Sequence, residues 1–224
     1  MFLNALEETY WEHVNKSTKM GVYLTRVETQ FIFDSHCLKA DGLVVDVGAN
    51  AGRFSLPAAQ FMSVVAMDLD LYALKRLRLK NQDVAVVLAD ARFIPLKNCV
   101  ADNVIMIELL DYVENAEAPI SECARVLKDD GLIFLSFGNK SSLKGRIKGF
   151  SGKSYRYSYQ DILRVLKAEK FKIARKMGFN WLPFGRDSNN PAIYLFAKGE
   201  RILGLRKLAR FSPWVIIQAV KVAE

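Results

Sequence analysis

Long apolar runs are missing from this 224-residue chain: nothing approaches the roughly 18 consecutive apolar residues of a membrane-spanning helix, which excludes one of the ordinary kind. Cysteine is scarce. Cys37, Cys99 and Cys123 are odd in number and far apart, matching neither a disulfide framework nor the paired spacing of a metal knuckle. The two histidines, His13 and His36, lie near no cysteine pair, so no metal site is expected. The first residues, MFLNALEETYWEH, lack the basic segment that opens a secretory leader. Together these absences lead to the expectation of a cytoplasmic protein in a reducing compartment. There is also no internal repeat and no low-complexity tract.

What is present reads as one globular domain. Apolar residues make up 51% and charged residues 25%, and the length suffices for a substantial core. The net charge of +8 points to an anionic partner such as a nucleic acid, an acidic lipid surface or an anionic substrate, although basic proteins often bind nothing acidic. Apolar spacing predicts helices over 2–14 and 22–38, with Gly21 between or beside them. Strands at 43–47, 63–67, 84–88, 103–107 and 131–137 then alternate with helices at 53–61, 71–80 and 116–127. β-branched runs separated by helices require a sheet covered on both faces, a doubly wound Rossmann-like α/β fold. The basic, Gly/Ser-rich segment 139–154 reads as a mobile loop. Beyond it come a helix over 159–170, a strand over 171–177, a helical stretch over 193–208 and a last strand over 214–222. The expected sheet has seven mostly parallel strands, the last antiparallel.

Three features fall at carboxyl ends of successive strands, where open α/β sheets bind ligands. First, LVVDVGANAGRFS runs from a buried strand into closely spaced glycines, a turn that lets backbone approach a ligand. Arg53 stands where a dinucleotide fingerprint needs its third glycine, which counts against NAD. Second, Asp68 ends the next strand, about 20 residues on, where a carboxylate can accept from both ribose hydroxyls. Third, Asp90 ends strand three, where it can accept from an adenine amino group. Each has an ordinary reading alone, since strand-end aspartates often cap the next helix. Three in register are harder to assign to capping.

Residues 43–137 resemble the core of a class I S-adenosylmethionine (SAM)-dependent methyltransferase of the type 11 group, which includes the ubiquinone and menaquinone methyltransferases. VVDVGANAGRFS resembles the family's first motif, AMDLD its ribose-acid strand, and LADARFIPLKNCVADNVIMIELLDYV and ARVLKDDGLIFLSF its later motifs. The resemblance implies that Asp46 and the backbone of Gly48, Ala49, Asn50 and Gly52 hold the methionine end of SAM. It implies that Asp68 binds the ribose with Leu69 against the adenine ring, that Asp90 and the Ala91 amide read the adenine edge, and that backbone near Met106–Ile107 meets the ammonium group. S-adenosylhomocysteine is then the product. Asn50 replaces the usual middle glycine, and asparagine tolerates the left-handed region. Asp129–Asp130 replaces Pro-Gly in what is expected to be a surface turn. Asp111–Tyr112 stands where many members have Glu-His.

Methyl transfer from a sulfonium requires alignment more than a base, so a catalytic base need not exist. Weak candidates are His13, Glu108, Tyr112 and Tyr10. Cys99 and Cys123 lack a nucleophile's sequence context, and strand four ends without the Asn/Asp-Pro-Pro-Tyr that grips a flipped base, so nucleic acid is disfavoured. The expected acceptor is small or lipid-like, reached through residues 1–30, 140–160 and 179–210, with Tyr155, Tyr157 and Tyr159 as candidate walls. Within the single domain 1–224, residues 1–41 are expected to form a helical lid, 42–139 the SAM-binding core, and 140–224 substrate-side elements and final strands. Basic residues concentrate at 74–80 and 198–210. In the latter, Ile202, Leu205 and Ala209 share a helical face opposite Arg206, Lys207 and Arg210, a candidate contact with an anionic membrane. An RNA methyltransferase, an NAD(P)-dependent oxidoreductase and a non-catalytic SAM-binding protein stay open as alternatives.

Overall fold

The computed structural model describes residues 7–34, 38, 42–150 and 157–223. Helices α1 (Tyr10–Ser17) and α2 (Lys19–Phe33) precede β1 (Leu43–Val47), α3 (Ser55–Ala58), β2 (Ser63–Asp68), α4 (Leu71–Lys80), β3 (Ala85–Leu88) and β4 (Ala101–Met106). Then come α5 (Glu117–Val126), β5 (Leu127–Gly138), α6 (Leu143–Phe150), α7 (Tyr159–Ala168), β6 (Phe171–Phe179), α8 (Ile193–Ile202) and β7 (Trp214–Lys221). The strands form one seven-stranded sheet in the order β3-β2-β1-β4-β5-β7-β6. The pairings among β1–β5 are parallel, and β7 lies antiparallel to both β5 and β6.

Alternation along each strand sends neighbours to opposite faces. Val45, Val104, Met106, Val215 and Ile217 pack with α5 and α7 on one face. Val44, Ile105, Trp214 and Ile216 pack with residues of α2, α3 and α8 on the other. Strand order reverses at β1, whose chain continues outward to β2 while β4 pairs on its other side. The crevice beyond the carboxyl ends of β1 and β4 is therefore the topological switch point.

Several boundaries differ from the expected ones for local reasons. The first two helices divide at Thr18, not Gly21: Thr18 donates its hydroxyl to the Val14 carbonyl at 2.8 Å and accepts from the Gly21 amide. Gly21 lies inside α2, where an added Cβ would sit 2.0 Å from the Val14 carbonyl oxygen. The expected segments 1–6, 35–37, 39–41 and 151–156, with His36, Cys37 and Tyr155, lie outside the described residues. Helix 53–61 shortens to α3, and its end tightens into i→i+3 bonds, Gln60 to Pro57 and Phe61 to Ala58. The Asp129–Asp130 turn is instead an irregularity within β5, where the register with β4 jumps.

Most of the expected mobile loop 139–154 that is described is helix α6. Ser142 accepts from the Gly145 amide, and Lys144 reaches Asn180 Oδ1 and the Leu182 carbonyl, ordering a stretch whose glycines and lysines read as loop. The stretch 193–208 is not one helix. It stops at Ile202, Gly204 takes φ +66°, and Leu205–Lys207 forms a separate 3-10 turn. The continuous amphipathic face expected through Ile202, Leu205 and Ala209 therefore does not exist.

Gly21→Ala discriminates crowding from helix propensity. Propensity alone would stabilise α2 by about 1 kcal/mol, whereas collision with the Val14 carbonyl predicts a loss of about 1–3 kcal/mol. Thermal unfolding reads the sign.

Candidate functional site

The turn after β1 is held by its own backbone. The Gly48 and Ala49 amides donate to the Met67 carbonyl at 2.8 and 3.0 Å, the Asn50 amide to Asp68 Oδ2 at 2.7 Å, and the Gly52 amide to the Ala49 carbonyl. Sequence reasoning expected these N–H groups to face a ligand. The structure commits them internally, so the acceptors left on this turn are carbonyl oxygens. Gly52 has φ +89°, and a Cβ there would lie 2.3 Å from Leu77 Cδ1, so close packing of α4 requires glycine. Asn50 occupies the left-handed region at φ 45° and its Oδ1 accepts from the Thr9 hydroxyl.

This turn borders a cavity of about 580 Å³ at the switch point. Gly48, Ala49, Asn50, Gly52, Asp68, Leu69, Asp90, Ala91 and Ile107 all line it. Asp68 stands between two backbone amides, Asn50 and Asp70. Asp90 forms a bidentate pair with Arg92, and those hydrogen bonds hold its carboxyl below the usual range. Asp46 and Met106 do not reach the cavity. Asp46 is buried beneath the turn, where it accepts from Ser55 Oγ at 2.5 Å and burial pushes its carboxyl up to about 6. Met106 points into the sheet core.

Helix α1 borders the cavity through Trp11, Glu12 and Asn15. Thr9 caps it with a reciprocal capping box. Glu12 is gripped by Arg76 and Lys80 of α4, and Lys80 also reaches the Ala51 carbonyl. Burial raises the Glu12 carboxyl, but these hydrogen bonds outweigh it and hold it at about 2. The basic run 74–80 is thus largely spent on internal partners, since Arg78 caps the carbonyls of Gln82 and Val84.

Beside Ile107 lies an ionic cluster whose Arg53, Glu108 and Arg186 line the cavity and whose Glu28 is buried behind them. Glu108, at φ 61°, pairs with Arg53 at 3.3 Å and with Arg186, and its amide donates to Ser136 Oγ. Glu28 of α2 is fully buried, 3.0 Å from Arg53. Burial and the neighbouring Glu108 push the Glu28 carboxyl well above the carboxylate range. Burial also opposes ionisation of Glu108, but Arg53 and Arg186 prevail and lower it. Arg186 stacks on Trp11 at 4.9 Å and donates to Asn15. Sequence reasoning singled out neither Glu28 nor Arg186. The available hint for Glu28 was an acid beside Val27 on an otherwise apolar helical face.

Of the candidate bases, Glu108 and Tyr112 line the cavity, whereas His13 and Tyr10 do not. The His13 side chain is 64% exposed, near Glu8. Tyr157 and Tyr159 do not line it either. Tyr157 donates to the Val113 carbonyl at 2.6 Å, bracing the cavity wall from behind, and Tyr159 is buried in the core.

Residues 45–135 match a family model described as a methyltransferase domain. A probable S-adenosylmethionine-dependent methyltransferase of Mycobacterium tuberculosis is 29% identical over 104 residues, covering 46% of this chain. The chain spans only 38% of that relative's length. A malonyl-[acyl-carrier protein] O-methyltransferase of Methylococcus capsulatus is 27% identical over 182 residues, 76% of this chain and 64% of the relative. Among solved structures, the [4+2]-cyclase SpnF superposes with a TM-score of 0.68 at 17% identity, covering 98% of this chain and 89% of its own. That likeness concerns the fold alone.

The Glu12 cluster yields a pH prediction. Its folded carboxyl lies near 2, below the ordinary 4.5, so its contribution is complete above about 4.5 and disappears as pH falls toward 2. Glu12→Gln should cost on the order of 2 kcal/mol at pH 7 and flatten the stability profile across that acid window. Urea unfolding at stepped pH measures both.

Proposed function

On the premise that the chain is a class I SAM-dependent methyltransferase of the type 11 group, we propose that it transfers a methyl group from SAM to a small or lipid-like acceptor. The observation that carries this reading is the meeting of the Gly48–Gly52 turn, Asp68 and Asp90 on one cavity. The donor set fits the cofactor: two strand-end carboxylates suit a ribose and an adenine amino group, and carbonyl oxygens on the turn suit an ammonium. When bound, SAM supplies a methyl group already activated on a sulfonium.

The chain's own residues then bind, orient and exclude water. Asp68 would hold the ribose hydroxyls, Leu69 would cover the adenine, and Asp90 with Ala91 would read its edge. Asp46 acts from beneath, fixing the turn through Ser55. Helix α1, pinned through Glu12, forms the lid of the reading. Trp11, Leu109, Tyr112 and Val113 offer the acceptor a mainly apolar wall.

Glu108 is a poor proton acceptor while two arginines neutralise it. An acceptor that arrives already ionised, such as a carboxylate, needs no base. The acyl-carrier relative is named for a malonyl substrate, which supports both an ionised and a lipid-like acceptor. Among the described residues no helix is long and apolar enough to cross a membrane, so a lipid-like acceptor would be met at a surface, and contact of residues 198–210 with anionic lipid belongs to this reading.

Calorimetry with S-adenosylhomocysteine and NAD tests the cofactor: binding of the former and silence with the latter is expected, and the reverse refutes the reading. Asp68→Ala should weaken S-adenosylhomocysteine binding by about 1.5–3 kcal/mol through loss of charge-assisted hydrogen bonds. An unchanged affinity would reduce Asp68 to a brace for the Asn50 amide.

A further inference from the structure

A second concavity lies apart from the cofactor cavity. It is a groove of about 330 Å³ lined by Trp181, Leu182, Leu195, Phe196 and Leu203, with buried Glu200 beneath. Glu200 is fully engaged, accepting from Tyr23 Oη at 2.8 Å, from the Trp181 amide and from Arg206. It therefore presents no free charge to an occupant. Trp181 lines the groove with apolar ring surface, while its indole Nε1 is buried beneath without a hydrogen-bond partner.

The rim has two properties that soluble surfaces rarely combine. Leu195 is 70% exposed, Ile202 69% and Leu203 72%, with Phe211 also exposed close by in the chain. On α6, Leu143 and Ile147 are exposed as well, and Lys144 ties that helix to the groove by donating to the Leu182 carbonyl. Close by in the chain are the exposed cations Lys198, Arg201, Lys207 and Arg210, none in an ion pair among the described residues. The only acid between 193 and 211 is the buried Glu200. The cations of α4 are mostly committed to internal partners; these are not.

We infer that this groove and its rim dock an anionic phospholipid membrane, with one acyl chain in the groove and lipid phosphates on Lys198, Arg201, Lys207 and Arg210. Apolar side chains that enter the interface beside basic ones that meet headgroups are the chemistry of a peripheral membrane face. This deepens the lipid-like reading of the acceptor, but the surface is separate from the cofactor cavity and its test is separate too. Docking does not require the continuous amphipathic helix expected from the sequence. The break at Gly204 instead folds the basic 3-10 turn back beside α8.

The test is co-sedimentation of the full chain with phosphatidylcholine vesicles containing phosphatidylglycerol, against phosphatidylcholine alone. Binding to the anionic vesicles only, weakening with salt, is expected. Arg201→Glu with Lys207→Glu should reduce it about tenfold or more, as should Leu195→Ser with Leu203→Ser. Lys75→Glu with Lys97→Glu, an equal change of charge at exposed positions on α4 and in the loop before β4, should leave it within about twofold of the parent, allowing for the long-range field. Gly199 has nothing within 4 Å of an added Cβ, so Gly199→Gln can fill the groove without strain and should abolish binding of soluble dioctanoyl phosphatidylglycerol. S-adenosylhomocysteine affinity should stay unchanged in all variants, separating failure here from failure of the cofactor assignment. Equal sedimentation with neutral vesicles, or none, overturns the inference. So does a concentration-dependent dimer abolished by Leu203→Ser, or retention of RNA by a parent that ignores vesicles.

Discussion

One ionic cluster, Glu28 and Glu108 with Arg53 and Arg186, ties together parts of the chain that lie far apart in sequence. Glu28 from α2 is fully buried and Glu108, at the end of β4, stands on the cavity wall; burial disfavours each charge and proximity disfavours both, so the pair needs compensation. Arg53 and Arg186 supply it and lower the Glu108 carboxyl, while burial and Glu108 push the Glu28 carboxyl up. The four residues come from a helix, a strand end, the glycine turn and the segment leading to α8. One ionic cluster therefore fixes how the N-terminal helices, the sheet and the distal loop meet. The cavity exists because those parts meet there.

This also accounts for Arg53. Where a dinucleotide-binding turn needs glycine for close helix packing, this chain places a guanidinium 4.4 Å over the Phe54 ring and reaching into the cluster. The residue that argues against NAD is the one that anchors the turn to α2. Close packing of the next helix is left to Gly52, against Leu77.

The core from β1 to β5 was readable because each strand is a local run of β-branched residues and each cavity-lining acid follows its strand directly. Asp68 and Asp90 needed only the rule that strand ends face the crevice. Arg186 was not readable: it lies in an aperiodic stretch, and its partners Glu108, Trp11 and Asn15 are far away in sequence. Helix α6 was hidden by glycines and lysines whose ordering contacts are tertiary. The break in the 193–208 stretch turned on Gly204, which periodicity passed over. The internal commitment of the turn's amides was invisible for a similar reason, since Met67 accepts them from another strand. The two basic clusters looked alike in sequence, yet one clamps α1, while in the other Arg206 alone forms an ion pair among the described residues. The [4+2]-cyclase with the same fold shows why the acceptor end has to be argued from its residues and not from the architecture.

The central claim is that the turn, the strand-end acids and α1 enclose a single cofactor site held by buried charge. Amide hydrogen exchange with and without saturating S-adenosylhomocysteine tests it most directly. Exchange should slow together in residues 48–53, 68–70, 90–91 and 10–17, with α8 unchanged. No protection in α1, or protection confined to segments away from the cavity, would contradict the account.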